Sequence, residues 1–310
     1  MTGEISEAAG ADPWPVRCPH CGRALRVDRR PPDQHVGNDA GQHAGQHAGR
    51  PTTIRALSCD GGHRFDAARQ GYVNLLVGRG SSATPDDTAM IMARERVQDA
   101  GILRSVTEAL TAIAARTTAP RQVLDCGAGT GHHLHALLEA LPAASGIALD
   151  LSPAGLKRAA KHPRTLALAW DLWRPLPVAD ASIDLLVDVF APRSPAEYAR
   201  VLSPGGRAVV VTPRPGHLHE LAAHGLLGMR EGKHRELLAR MGEALGDPEE
   251  HRRIGETIDL DAEQAADLIM MGPAGHHRHR DQVLHDVGRE GTRRATVDVD
   301  VTTWRRHAGD

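Results

Sequence analysis

Aromatic side chains are scarce in this chain of 310 residues, with two Phe, two Tyr and four Trp, so the core has to be aliphatic. Lysine is scarcer still, three residues against 34 Arg. High-GC coding produces the same bias, so the arginine count by itself argues little for an anionic partner. No segment approaches the roughly 20 consecutive apolar residues of a membrane span. Residues 1–12 carry Glu4, Glu7 and Asp12 and neither a basic nor an apolar run, so no secretory signal is expected and the cytoplasm is the expected compartment. A net charge of −2 excludes a uniformly basic nucleic-acid binder. The charge is uneven, however: residues 16–80 hold ten Arg against five Asp, a local excess that could sit against phosphates.

What is present suits one main α/β domain with an appended module. Apolar content of 41% and charged content of 25% are ordinary for a globular enzyme. Residues 1–15 are expected to be disordered. Residues 16–80 form a small module whose two halves, 16–27 and 54–66, are separated by a polar Gly/His/Asp-rich insertion at 29–51 that repeats Gly-Gln-His-Ala and cannot bury a core. Asp86-Asp87-Thr88 can cap a helix whose apolar positions Met90, Val97, Leu103, Val106 and Leu110 recur at helical intervals. This begins a domain over 81–310. Strands are predicted at 123–126, 146–150, 165–169, 183–190 and 207–212, with helices between most of them, then at 254–260 and 295–304 around a helix at 262–271. Alternation of that kind means a parallel sheet covered on both faces.

The first of those strands runs into Val123-Leu124-Asp125-Cys126-Gly127-Ala128-Gly129-Thr130-Gly131. Glycines at alternate positions let a chain turn sharply out of a sheet and bring bare amides to a ligand. A phosphate-cradling loop would need Gly-Lys-Ser/Thr, whereas Gly131 is followed by His132 and His133. A dinucleotide fold would space its third glycine one residue further on. Asp125 decides between the remaining choices, because a carboxylate there can meet the amino group of S-adenosylmethionine and a pyrophosphate offers no such cation. Asp150, at the end of the next strand, is placed for ribose hydroxyls, and Asp171 for adenine. This ordered set resembles the seven-stranded Rossmann-like class I methyltransferases, as does the turn Leu202-Ser203-Pro204-Gly205-Gly206 before a strand.

Cys18-Pro19-His20-Cys21 and Cys59-Asp60-Gly61-Gly62-His63 supply four soft donors, the number that a closed tetrahedral zinc site needs. His20, His35, His43 and His47 are spare donors that could compete. Cys126 reads as a small apolar residue of the glycine loop.

The string Gly62-His63-Arg64-Phe65-Asp66-Ala67-Ala68-Arg69-Gln70-Gly71-Tyr72-Val73-Asn74-Leu75-Leu76 resembles the zinc-containing large-subunit ribosomal RNA (guanine-N1)-methyltransferases. The likeness continues through Asp86-Asp87-Thr88, Asp99-Ala100-Gly101, the glycine loop, Thr212-Pro213, His217-Leu218 and Met271-Gly272-Pro273. Gly131-His132-His133, Asp171-Leu172-Trp173 and Phe190-Ala191-Pro192-Arg193 resemble its tylosin-resistance branch. That branch methylates a guanine in a 23S rRNA hairpin loop near the macrolide site, a modification through which macrolide resistance could arise. The resemblance implies structural zinc at Cys18, Cys21, Cys59 and His63, and cofactor contacts at Gly129, Thr130 and His217 beside Asp125, Gly127, Gly131, Asp150 and Asp171. Two positions depart from the pattern. Leu103 stands where a relative has a cofactor-contacting Tyr, and Gly275-His276-His277 lacks a Trp expected after Pro273.

Guanine N1 carries a proton that must be lost, and Asp188 is the candidate acceptor at the end of the fourth strand. N1 lies on the edge buried in a base pair, so an unpaired loop base is the expected substrate, with Phe190 and Tyr72 as stacking candidates. The basic module would serve as an RNA-docking arm. Two rivals remain at this level: a methyltransferase acting on a small natural product, and a non-catalytic zinc protein that binds RNA. The sequence leaves monomer and homodimer equally open.

Overall fold

The computed structural model describes residues 14–30, 53–78, 80–224, 233–288 and 293–307. The stretch 1–15 and the insertion at 29–51 lie outside the described residues except at 14–15 and 29–30.

Three short strands, β1 (Arg26–Arg30), β2 (Thr53–Ser58) and β3 (Arg64–Asp66), make an antiparallel ribbon in the order β1-β2-β3. A ribbon this small cannot bury a core of its own. It leans on the larger domain instead: Trp14, Val16, Leu25 and Leu57 share one apolar cluster with Leu166, Leu168, Trp170, Leu176 and Val178. Val16 also forms a bridge with Val178. The chain then supplies β4 (Val73–Asn74), which pairs in parallel with residues 168–169.

Asp87 caps α1 (Thr88–Asp99) by accepting from the Met90 amide at 2.9 Å. The periodicity predicts a single helix through residue 110, but the chain breaks before α2 (Arg104–Ala115). Gly101, with φ of 70°, takes the left-handed conformation that ends helices, and the six-residue step from Val97 to Leu103, which is off the helical interval, is the trace of it in the apolar spacing.

The alternation predicted beyond residue 120 is present as β5 (Gln122–Cys126), α3 (His132–Ala140), β6 (Ser145–Asp150), α4 (Pro153–Ala159), β7 (Thr165–Ala169), β8 (Ile183–Val189), α5 (Pro195–Val201) and β9 (Leu202–Pro213). After them come α6 (Lys233–Leu245), β10 (Glu250–Leu260), α7 (Ala262–Met270), α8 (Arg280–Gly288) and β11 (Arg293–Arg305). The turn predicted at 202–206 survives as a bulge within β9, where pairing jumps from Ile183–Leu202 to Leu185–Arg207.

The sheet order is β10-β11-β9-β8-β5-β6-β7-β4, with β11 antiparallel to both of its neighbours, β10 and β9, and every other pair parallel. This is the Rossmann-like arrangement with eight strands in place of the expected seven, because Val73 and Asn74 add one edge. Both faces are covered. Val123, Leu185, Val187 and Val209 face a cluster containing residues of α1, α2, α3, α4, α7 and α8. Leu124, Cys126, Leu186 and Val210 face the cluster that holds α5, α6 and the ribbon. With both faces closed, the ends of the strands are left to hold a ligand, the usual position in open α/β sheets. Among the described residues no helix is long and apolar enough to cross a membrane.

Candidate functional site

A cavity of about 500 Å³ opens where β5, β6, β7 and β8 end. β5 delivers Asp125 to it and then breaks into the glycine loop. Gly127, Gly129 and Gly131 have φ of 85°, 52° and 80°, a region where a side chain brings strain. Space forbids one as well: a Cβ on Gly127 would stand 2.3 Å from the Ala191 Cβ. Asp150 holds this loop in place, its Oδ2 accepting from the Gly129 amide at 2.8 Å and its Oδ1 from the Ser152 amide at 2.7 Å. Of the predicted cofactor residues, Leu103, Asp125, Gly127, Asp150, Asp171 and His217 line the cavity. Gly129, Thr130 and Gly131 shape the loop without lining it; the Thr130 hydroxyl donates to Gln98 Oε1 at 2.8 Å.

Asp125 is only 2% exposed. Burial, followed by the nearby Asp150 and Asp188, pushes its carboxyl up to about 8. A cation beside it would restore its charge, and S-adenosylmethionine brings both an ammonium and a sulfonium. The cavity also presents Arg94, whose guanidinium donates to Asp86 Oδ2 at 2.5 Å and to the Met271 carbonyl at 3.1 Å. Its Nη1 lies 2.7 Å from where a Cβ of Gly129 would be, so the chemistry of a carboxylate ligand is available against the loop. Arg94 is absent from the predicted set, although its position in sequence was a signal: it falls on the stripe of Met90 and Val97, where α1 is otherwise apolar.

Two histidines that line the cavity stay neutral at physiological pH. Burial, then His132 and Arg94, brings His133 down to about 3, with its Nδ1 3.0 Å from the Thr107 hydroxyl. Burial brings His217 down to about 4 against the pull of Asp298 and Glu220. Its Nδ1 accepts from the Asp298 amide at 3.3 Å, which assigns the proton to Nε2. Beside it, Phe190 and Leu218 have φ of 59° and 51°, strained values for side-chain-bearing residues, and the Phe190 ring lies 5.5 Å from His217.

Asp188 sits apart from these. It is fully buried, absent from the cavity lining, and engaged by the Tyr198 hydroxyl at 2.6 Å and the Ala191 amide at 3.2 Å. Its oxygens therefore hold the turn 190–192, and the candidate proton acceptor lies beneath the lining of the cavity, behind Phe190 and Ala191. Of the two aromatic candidates, Phe190 lines the cavity, whereas Tyr72 packs against the core cluster. Trp173, which the sequence marks only as part of the string Asp171-Leu172-Trp173 and to which it gives no role, lines the mouth and is 69% exposed.

In the ribbon, the donor atoms of Cys18, Cys21, Cys59 and His63 all lie within 4.8 Å of one another. Bonds of roughly 2.3 Å to sulfur and 2.0–2.1 Å to nitrogen in a tetrahedron put two sulfurs about 3.8 Å apart and a sulfur about 3.6 Å from a nitrogen. Cys21 Sγ and Cys59 Sγ are separated by 3.7 Å, and Cys59 Sγ and His63 Nδ1 by 3.5 Å. The set fits zinc. Gly61 keeps the knuckle tight, since a Cβ there would stand 3.1 Å from Cys21 Sγ. His20, the spare donor nearest in sequence, stacks on His63 with ring centroids 4.8 Å apart and stays outside the cluster.

Two family models match this chain. One, described as a methyltransferase domain, covers residues 123–206, and the other, a zinc ribbon described as "RlmA, N-terminal", covers 51–78. A 23S rRNA (guanine(748)-N(1))-methyltransferase of Streptomyces fradiae is 38% identical over 299 residues, 94% of this chain and 96% of that protein. A Micromonospora griseorubida protein provisionally named a 23S rRNA (guanine-N(1)-)-methyltransferase is 39% identical over 84% of this chain and 87% of its own length. A malonyl-[acyl-carrier protein] O-methyltransferase of Hahella chejuensis is 38% identical over 142 residues, only 42% of this chain and 50% of that protein. The fold is that of an S-adenosylmethionine-dependent methyltransferase, and the ribbon is a structural zinc site. Identity of 38–39% over 94% and 84% of its length, with a matching zinc ribbon, places this chain in the family of zinc-containing 23S rRNA (guanine-N1)-methyltransferases.

Proposed function

We propose that this chain methylates N1 of an unpaired guanine in a hairpin loop of 23S rRNA, with S-adenosylmethionine as donor; guanine 748 is the base named for the Streptomyces fradiae relative. The observation that carries this is the extent of the likeness. The rRNA methyltransferases match over 94% and 84% of the chain, and a separate family model matches the ribbon, whereas the carrier-protein methyltransferase matches less than half. A small-molecule substrate would leave the ribbon's likeness without a reason.

The donor, when bound, supplies an electrophilic methyl on a sulfonium, and the protein's share of the work is placement. Asp125 would take the ammonium, Arg94 the carboxylate and Asp150 the ribose, with Asp171 at the adenine. His217 presents Nε2–H, and Phe190 forms a wall where the acceptor base would sit. Asp188 acts through that wall as a positioning residue: with Tyr198 it fixes the Ala191 amide and hence the strained Phe190. Burial, against the opposing effects of Arg193, Tyr198 and the Ala191 amide, brings its carboxyl up to about 7.

Primer extension on 23S rRNA tests the activity, because an N1-methylated guanine can no longer pair and arrests the polymerase. A new stop at one guanine, dependent on both protein and S-adenosylmethionine, is the expected result; no new stop at any guanine defeats the proposal. Asp188→Asn is expected to lower kcat about tenfold while KM for RNA and the shape of the pH–rate profile stay as they are. If the variant instead loses a limb of that profile near pH 7, Asp188 is the base after all.

A further inference from the structure

We infer that Trp173 is a stacking platform for an unpaired base of the RNA at the mouth of the cavity, an inference that rests on the rRNA substrate proposed above. The chain has eight aromatic residues. Trp14, Trp170, Trp304 and Tyr198 are buried, at 5% exposure or less. Phe65 and Tyr72 are half-buried away from the cavity, and Phe190 leans on His217. Trp173 alone among them stands in solvent, at 69% exposure, and it does so on the rim of the catalytic cavity together with Pro85, Pro192 and His276.

One exposed apolar side chain is ordinary on a protein surface. What distinguishes Trp173 is that the turn carrying it is tied down by hydrogen bonds. Its amide donates to Asp171 Oδ1 at 3.0 Å, and the next amide, of Arg174, donates to the Asp171 carbonyl at 2.9 Å. The Arg174 guanidinium then ties the turn to the segment 77–80 by donating to the carbonyls of Val77, at 3.1 Å, and Gly80. The backbone that carries this large flat apolar face is thus fixed at the mouth of the cavity, so that only the two side-chain torsions are left to order when something covers it.

The substrate supplies what fits. Guanine N1 is accessible only when the base is unpaired, and a base taken out of its stack loses stacking energy that an aromatic side chain can return. Stacking of this kind tolerates any base, so it would hold the loop in register while the cavity selects guanine. The competing occupant is the adenine of the cofactor, since Asp171 belongs to the same turn.

The test uses the full-length protein and the hairpin whose guanine gives the primer-extension stop. Trp173→Ala and Trp173→Leu are expected to weaken binding of that labelled RNA hairpin about 10- to 100-fold, Trp173→Phe to stay within about threefold, and all three to bind S-adenosylmethionine in calorimetry as the wild type does. Trp173→Leu keeps an apolar side chain of useful size, so loss in both Ala and Leu with recovery in Phe isolates the aromatic face from folding. Unchanged RNA affinity in Ala and Leu overturns the inference, and so does weakened cofactor binding with RNA binding intact, which would assign Trp173 to the adenine. A wild-type protein that gives no stop defeats the rRNA substrate itself, a separate outcome.

Discussion

Asp125→Asn is expected to weaken S-adenosylmethionine binding about 100-fold and, at pH 8 and above, to raise the melting temperature of the ligand-free protein by at least about 3 °C. Both effects come from the same buried carboxyl. Its ordinary value of 3.8 applies to the unfolded chain and a value of about 8 to the folded one. Between those limits the unfolded state has lost a proton that the folded state keeps. The stability owed to this group is therefore complete below about pH 4, declines as pH rises, and is gone above about pH 8. Asparagine never ionises, so the variant gains on the wild type across that window and the gain levels off above it. Melting curves of the two proteins at a series of pH values check this; curves that stay parallel from pH 5 to 9 refute it.

Cofactor binding reverses the preference of that carboxyl, because the bound cation favours the ionised form. At pH 7 the wild type is expected to release about one proton on binding S-adenosylmethionine, with affinity rising as pH approaches 8. Calorimetry in buffers of different ionisation enthalpy counts that proton directly. Arg94→Gln separates the two ends of the methionine moiety, losing affinity through the carboxylate while keeping the proton release.

How much of this could be read from the sequence depends on whether the signal was local. The strands at 123–126, 146–150 and 165–169 were legible because a parallel strand covered on both faces is a continuous apolar run. The placement of Asp125, Asp150 and the glycines at the cavity was legible because it follows from chain geometry at the strand ends. The four zinc donors were legible from two tight spacings, and only the fold could show Cys18–Cys21 meeting Cys59–His63 across the insertion. Tertiary facts were not legible. Nothing local shows that Asp188 is consumed by Tyr198 ten residues on, or that Trp173 is the exposed one of four tryptophans while Trp170, three positions away, is buried. The break at Gly101 was missed because Met90, Val97, Leu103, Val106 and Leu110 read as one stripe, although the six-residue step from Val97 to Leu103 shifts the phase by roughly a third of a turn, and the two-residue β4 was missed because so short a strand exists only through its partner.

Removal of zinc is expected to disable more than the ribbon. Chelation, or Cys59→Ser, should lower the melting temperature of the whole chain by more than about 10 °C and weaken S-adenosylmethionine binding, with loss of one metal ion per chain. A structural zinc contributes on the order of 10–16 kcal/mol of apparent binding energy, comparable with or larger than the roughly 5–15 kcal/mol net stability of a typical protein. In a detached module that energy would be local. Here Cys18 and Cys59 belong to the cluster that contains Leu166, Leu168 and Trp170, and Trp170 also lines the catalytic cavity. Loosening the knuckle therefore withdraws Trp14, Val16, Leu25 and Leu57 from one face of the sheet and exposes the strand β7 that leads to Asp171. A single cooperative melting transition that shifts as a whole is the signature of this coupling. Two separate transitions, with cofactor affinity unchanged after metal loss, would mean that the ribbon is an independent arm whose packing against the sheet is incidental.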